Sequence, residues 1–294
     1  MKHAFGPELS AFLAAGVFAL AACSPDATTG VQSASSNVLT PTSAGYNAAG
    51  VHRQYGTPVK LGDGNARVYV VVDAKNNQAP LELGIALSEK SLEGLPTEGM
   101  GMYLLPLPKF APEPYKLVEL DWNSHGHEPE GVYTFPHFDF HFYTITRAQR
   151  DAIVPTDPNY TTEANNLPTD GYVPPAYAPL GAPGDNNMAH FAVPMMGLHW
   201  EDLLSPELQG LLGHPENYRK FDKTFIYGSW NGQFIFYEPM ITLEYLQTKP
   251  DVTSPVRTPQ LYPQAGYFPT SYRVTYDAQA KEYHVALTGL VQHN

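Results

Sequence analysis

The 294-residue chain has a single cysteine, Cys23, so neither a disulfide nor a thiolate metal site can be built from the residues that follow it. Basic residues are also scarce. Lys+Arg 17 against Asp+Glu 29 gives a formal net charge of −12. An acidic surface argues against nucleic acid as a partner, because that binding depends on basic patches. No apolar run approaches the roughly 20 residues that a membrane-spanning helix needs. No Gly-rich loop follows a strand and opens a helix, so no nucleotide cofactor is expected. No serine sits in a nucleophile elbow. Stability must therefore come from a hydrophobic core, and the length suffices for one sizeable domain.

What is present begins with a short apolar segment. Lys2 and His3 make a thin basic start, and residues 11–22 (AFLAAGVFALAA) end in Leu20-Ala21-Ala22-Cys23. This resembles the lipobox of bacterial lipoproteins, which implies diacylation of Cys23 and attachment to a membrane through lipid. Glu8 departs from the pattern, and an ordinary secretory signal with a cysteine near its cleavage region is the alternative. Ser24, rather than aspartate, follows the cysteine. The resemblance then implies a cell-envelope location at the outer membrane, on its periplasmic face or the cell surface. Residues 1–22 read as the signal peptide. Residues 23–60, rich in Ser, Thr, Ala, Gly and Asn over 24–50, read as a flexible tether. Residues 61–291 read as a single β-rich domain.

Within that domain the strand signals are short and frequent. Residues 65–73 and 81–88 read as a hairpin, and 102–107 and 115–120 as further strands. Thr146 is a plausible N-cap for a short helix over 146–153, and 205–212 is expected as another. Asn231-Gly232 between alternating aromatics is the strongest hairpin signal. Residues 239–246 fit either a helix or a strand, and 272–276 with 282–287 close the chain as a hairpin. No βαβ alternation appears. The expected fold is mainly β, an antiparallel barrel or sandwich with a few short helices and long loops, of which 155–187 is the longest.

Chemistry concentrates in residues 121–144 (DWNSHGHEPEGVYTFPHFDFHFYT), which hold His125, His127, His137 and His141. In 136–144, Phe138, Phe140 and Phe142 alternate with His137, Asp139 and His141. On a strand the aromatics face a core and the polar residues face the other way. His137 and His141 are then about 13 Å apart at Cα, too far to share one ion, while Asp139 lies about 6.6 Å from each. Asp139 can orient either ring. In His125-Gly126-His127, an extended backbone would point both imidazoles the same way, as a ligand pair for zinc or copper. Glu130, His137 or His141 would complete the shell, provided that residues 123–135 fold back over the strand. His199 and Glu238 are outlying candidates. The alternative for the whole set is a structural His/Asp network, or a surface cluster that titrates near neutral pH.

Several stretches together resemble an uncharacterised bacterial domain family whose prototype is a ring-forming, stress-regulated Thermus protein. They are residues 62–67 (GDGNAR), 121–143, 195–200 (MMGLHW) and 225–242 (FIYGSWNGQFIFYEPMIT). The resemblance implies a domain over about residues 60–290 and a homo-oligomer, and it implies no established reaction. The His-x-His followed by a strand histidine is similar to cupin metal sites, although the acidic residue and spacing of that motif do not match. Two expectations follow. One is a lipid-anchored envelope protein that binds a divalent metal through His125, His127 and a strand histidine, with catalysis left open. The other is a non-catalytic oligomeric stress or scaffold protein with a structural His/Asp network.

Overall fold

The computed structural model describes residues 45–46, 50–76, 79–182 and 184–294, so the signal-like segment and Cys23 lie outside the described residues. The chain first lays down β1 (Gly45–Tyr46), β2 (Val51–Tyr55), β3 (Val59–Leu61), β4 (Gly64–Asp73) and β5 (Ala79–Ser88). A second sheet follows, from β6 (Met100–Leu105), β7 (Leu117–Asn123), β8 (His137–Tyr143), β9 (Tyr177–Pro179), β10 (Leu198–Asp202), β11 (Lys223–Trp230) and β12 (Gln233–Thr242). The chain ends with β13 (Asp251–Pro255), β14 (Gly266–Phe268), β15 (Ser271–Asp277), β16 (Glu282–Thr288) and β17 (Val291–His293). Among the described residues the α-helices are short: α1 (Arg147–Asp151), α2 (Tyr160–Asn165) and α3 (Leu243–Gln247).

The first sheet runs β1-β2-β4-β5-β16-β15-β13, with β3 beside β4, and the second runs β6-β7-β8-β12-β11-β10-β9. Strands β14 and β17 pair separately, and every pairing is antiparallel. Neither large sheet closes on itself among the described residues. The fold is a sandwich, not a barrel. Period-two alternation explains it. Val68, Val70, Leu83, Ile85, Val285 and Leu287 from the first sheet share one core with Val118, Leu120, Phe138, Phe140, Phe142 and Tyr237 from the second.

Three local features depart from the sequence reading. Strands β2 and β3 pair with β4 ahead of residue 61, where composition places the domain's start. The mixed polar VHRQY carries too little alternation to show as a strand. Within residues 205–212 only Pro206–Leu208 forms a helical turn, and Leu211 and Leu212 are exposed. Residues 239–246 do both things at once, since β12 runs on to Thr242, whose hydroxyl accepts from the Tyr245 amide and caps α3.

The second sheet has a buried outer face as well as an inner one. Val132, Tyr133, Leu208 and Phe221 pack there on Ile226 and Met240, and Ile153, Tyr160 and Met196 pack on Tyr143, Ile235 and Phe236. A bulge in the β11–β12 pairing lets Phe234 and Tyr237 both reach the inner core although they are three residues apart. Phe236 and Glu238 thereby turn outward. Gly228 makes room for that turn, because a Cβ there would meet the Phe236 ring at 1.9 Å.

Candidate metal centre

Between the two apolar clusters on the outer face lies a buried polar layer. Strand β7 contributes Glu119, Asp121 and Asn123, β8 contributes His137, Asp139 and His141, and β12 contributes Glu238, all buried. Asp121 stands directly across from Asp139, Glu119 from His141, and Asn123 from His137. Opposed carboxylates such as Asp121 and Asp139 repel unless a proton or a cation stands with them. Sequence alternation alone puts these residues on one face, since Val118-Glu119-Leu120-Asp121-Trp122-Asn123 switches apolar and polar at every step.

The loop after β7 brings in His127. Gly126 adopts φ +72°, and a Cβ there would lie 2.0 Å from the Tyr133 carbonyl. Only glycine allows that approach. The His127 amide donates to the same carbonyl at 3.1 Å, so the loop does fold back. His127 Nδ1–H donates to the Glu128 carbonyl at 2.7 Å, and His137 Nδ1–H donates to the Phe135 carbonyl at 2.7 Å. A carbonyl can only accept, so in both neutral rings Nε2 carries the lone pair. His127 Nε2 lies 3.6 Å and His137 Nε2 3.0 Å from the two oxygens of Asp139. Asn123 Nδ2 donates to Asp139 at 2.6 Å and holds the carboxylate in place.

That donor set fits a divalent ion. Ligand bonds near 2.1 Å at tetrahedral or octahedral angles put donor atoms about 3.0–3.5 Å apart. One donor atom from each of His127, His137 and Asp139 lies within 4.8 Å of the others, as does one from each of His141, His199 and Glu238. Imidazoles that donate their second nitrogen to a backbone carbonyl are the usual surroundings of a metal ligand.

Electrostatics marks the same atoms. Burial alone would raise Asp139, but the His137 and His127 rings facing it hold its carboxyl well below the usual range. Burial disfavours charge on His127, yet the Asp139 carboxylate 3.6 Å away prevails and raises the ring to about 9. Burial pushes His141 down to about 3 and His199 to about 4. It drives Glu238 and Asp121 well above the ordinary carboxylate range, with neighbouring carboxylates adding to the effect. Burial also raises Glu201 to about 7, against the hydrogen bond it accepts from Tyr133 Oη at 2.7 Å.

The residues singled out in the sequence separate as follows. His127, His137 and Asp139 converge, and His141, His199 and Glu238 converge beside them. His125 does not join either group. The turn at Gly126 breaks the extended geometry that would align the two rings, and His125 is exposed, 3.3 Å from Glu98. Glu130 is exposed too, and its amide donates to Glu128 Oε2. Asp121 and Glu119 had no place among the expected ligands. Glu119 and Asp121 also form a group with His141, but Arg150 on α1 already pairs with Glu119 and brings a cation into that corner.

A family model described as TTHB210-like, hypothetical protein TTHB210, matches residues 77–122. No curated protein and no solved structure matches the chain. The matched stretch takes in β5, β6 and most of β7, hence Glu119 and Asp121, and it stops short of all the histidines in the layer. The similarity carries no activity.

Proposed function

We propose that this is a lipid-anchored cell-envelope protein whose sandwich domain binds a divalent first-row metal, zinc or copper, through His127, His137 and Asp139. The observation that carries the metal reading is that two Nε2 atoms converge on one carboxylate while both Nδ1–H groups are committed to carbonyls, so an ion can take the place of the protons between them. His137 Nε2 and Asp139 Oδ1 are buried and form no hydrogen bond although they lie 3.0 Å apart. The His127 side chain is 40% exposed, which supplies an entry path. Zinc titration of chelator-treated, untagged protein tests the reading. His127→Ala is expected to weaken one zinc equivalent at least tenfold, the scale on which even outer-shell partners act. His125→Ala should leave binding unchanged. Failure of the unsubstituted protein to take up zinc or copper would overturn it.

The anchor rests on the lipobox-like Leu20-Ala21-Ala22-Cys23. Expressed in a bacterium that processes lipoproteins, the natural chain should partition with membranes. Cys23→Ser should release it to the soluble fraction or leave an unprocessed precursor of higher mass, and an unchanged partition of a processed Cys23→Ser chain would remove the lipid from the proposal.

A further inference from the structure

Beside the first group, His141 presents a different problem. Its ring is fully buried, and neither nitrogen has a hydrogen-bond partner. Both oxygens of Asp121 and Oε2 of Glu238, also buried, lack partners as well. These atoms nonetheless face one another. His141 Nδ1 lies 3.5 Å from Asp121 Oδ2, His141 Nε2 lies 3.4 Å from Glu238 Oε1, and His199 Nε2 lies 3.7 Å from Glu238 Oε2. Five orphaned buried polar atoms on three adjoining side chains far exceed what a folded core tolerates without a shared partner.

The geometry points to a second divalent metal site, in which His141 Nε2, His199 Nε2 and Glu238 are the ligands. Asp121 is then a positioning residue. At 3.5 Å from His141 Nδ1 it faces that nitrogen, and with the ion bound it would accept the Nδ1–H and fix the tautomer that turns Nε2 toward the ion, a carboxylate–histidine–metal arrangement. This extends the metal-binding reading above from one ion to two.

The two ions must be distinct. His137 and His141 are four residues apart on β8, about 13 Å at Cα, and their ligand groups share no residue. Asp139 and His141 are one two-residue step apart, about 6.6 Å, so the groups are neighbours along the strand. Two imidazoles and one carboxylate suit zinc and other first-row divalent ions and leave coordination positions open. Phe236 closes the floor, with its ring 4.9 Å from that of His141 and 5.3 Å from that of His199. His199, 20% exposed at its side chain, is the way in. Arg150 does not compete for this site, since its guanidinium is tied to Glu119 and Asp151.

Metal stoichiometry separates the two sites. Untagged, chelator-treated protein reloaded with zinc and desalted should carry two equivalents per chain by native mass spectrometry. His199→Asn and Glu238→Gln should each carry one, His127→Ala should carry one, and His127→Ala/His199→Asn none. A second readout needs no variant: reloading with cadmium-113 should give two resonances in the unsubstituted protein. The second site is overturned if the unsubstituted protein holds a single equivalent that His127→Ala removes, or if His199→Asn and Glu238→Gln both still hold two. A single equivalent lost in His199→Asn but kept in His127→Ala upholds this site and removes the first. No bound metal at all removes both.

Discussion

Arg150→Ala is expected to lower the unfolding free energy by about 3–5 kcal/mol, the usual cost of leaving one member of a buried ion pair alone. Arg150 is buried on α1, which Thr146 opens with a full capping box to Gln149. Its Nη2 donates to Glu119 Oε2, its Nη1 donates to Asp151 at 2.8 Å, and the sulfurs of Met102 and Met195 lie 3.1 and 3.3 Å away. Glu119 is fully buried in the middle of β7. Burial raises its carboxyl, and Arg150 is the main force that opposes the rise. Without Arg150 the carboxylate must either stay charged in an apolar setting or take up a proton. The loss should therefore be larger at pH 8 than at pH 5. Arg150→Met with Glu119→Gln should recover much of it, because the charge and its partner leave together. Urea unfolding of the unsubstituted protein and the two variants at the two pH values measures this. A loss below about 1 kcal/mol, or a double variant no better than the single, would show that the pair does not hold α1 to the sheet.

The sandwich was largely readable in the sequence because its strands obey period two. The Phe138/Phe140/Phe142 face and the His137/Asp139/His141 face separate as the alternation requires. The polar layer was legible only in part. Strand β7 runs on to Asn123, three residues past the point where the sequence reading ends it, and those residues carry Asp121 into the layer. The alternation that shows this was available, but the adjoining histidines drew residue 121 into the loop. Glu238 faces outward because of a bulge, which period-two counting cannot register. His125 and His127 looked equivalent by spacing. They differ because Gly126 takes a positive φ, a choice set by the close approach of the Tyr133 carbonyl, a contact outside any local pattern. Helix α2, inside the long Pro- and Gly-rich stretch, was missed because it is short and carries no side-chain cap.

Bound metal should stabilise the protein most above neutral pH, and the signs of the individual titrations say why. For His127 the folded ring is raised to about 9 against about 6.5 unfolded. Its favourable contribution is complete below about 6.5 and is lost as pH rises through 9. Glu201, raised to about 7 by burial, is neutral in the fold where the unfolded group has ionised, so it too favours the fold at low pH and loses that advantage by about 7. Asp121 and Glu238, raised well above the ordinary range, act in the same direction. His141 and His199, lowered to about 3 and about 4, act oppositely. They cost stability as pH falls below about 6.5, because only the unfolded rings then gain protons. Between pH 6.5 and 9 this opposing pair is silent, and the raised His127 weakens the metal-free fold as pH rises. His127 alone accounts for on the order of 1–2 kcal/mol over that window, after allowance for solvent at its 40% exposed side chain. A divalent ion takes the place of those protons, so its apparent affinity should rise up to about tenfold per pH unit for each proton displaced. Zinc at a hundred times its dissociation constant adds about 2.7 kcal/mol by mass action. The gap in melting temperature between zinc-loaded and chelator-treated protein should thus widen from pH 6 to pH 8.5, and His127→Ala should narrow it at the upper end. A gap that stays constant or closes with rising pH would place the bound ion away from His127 and its neighbours.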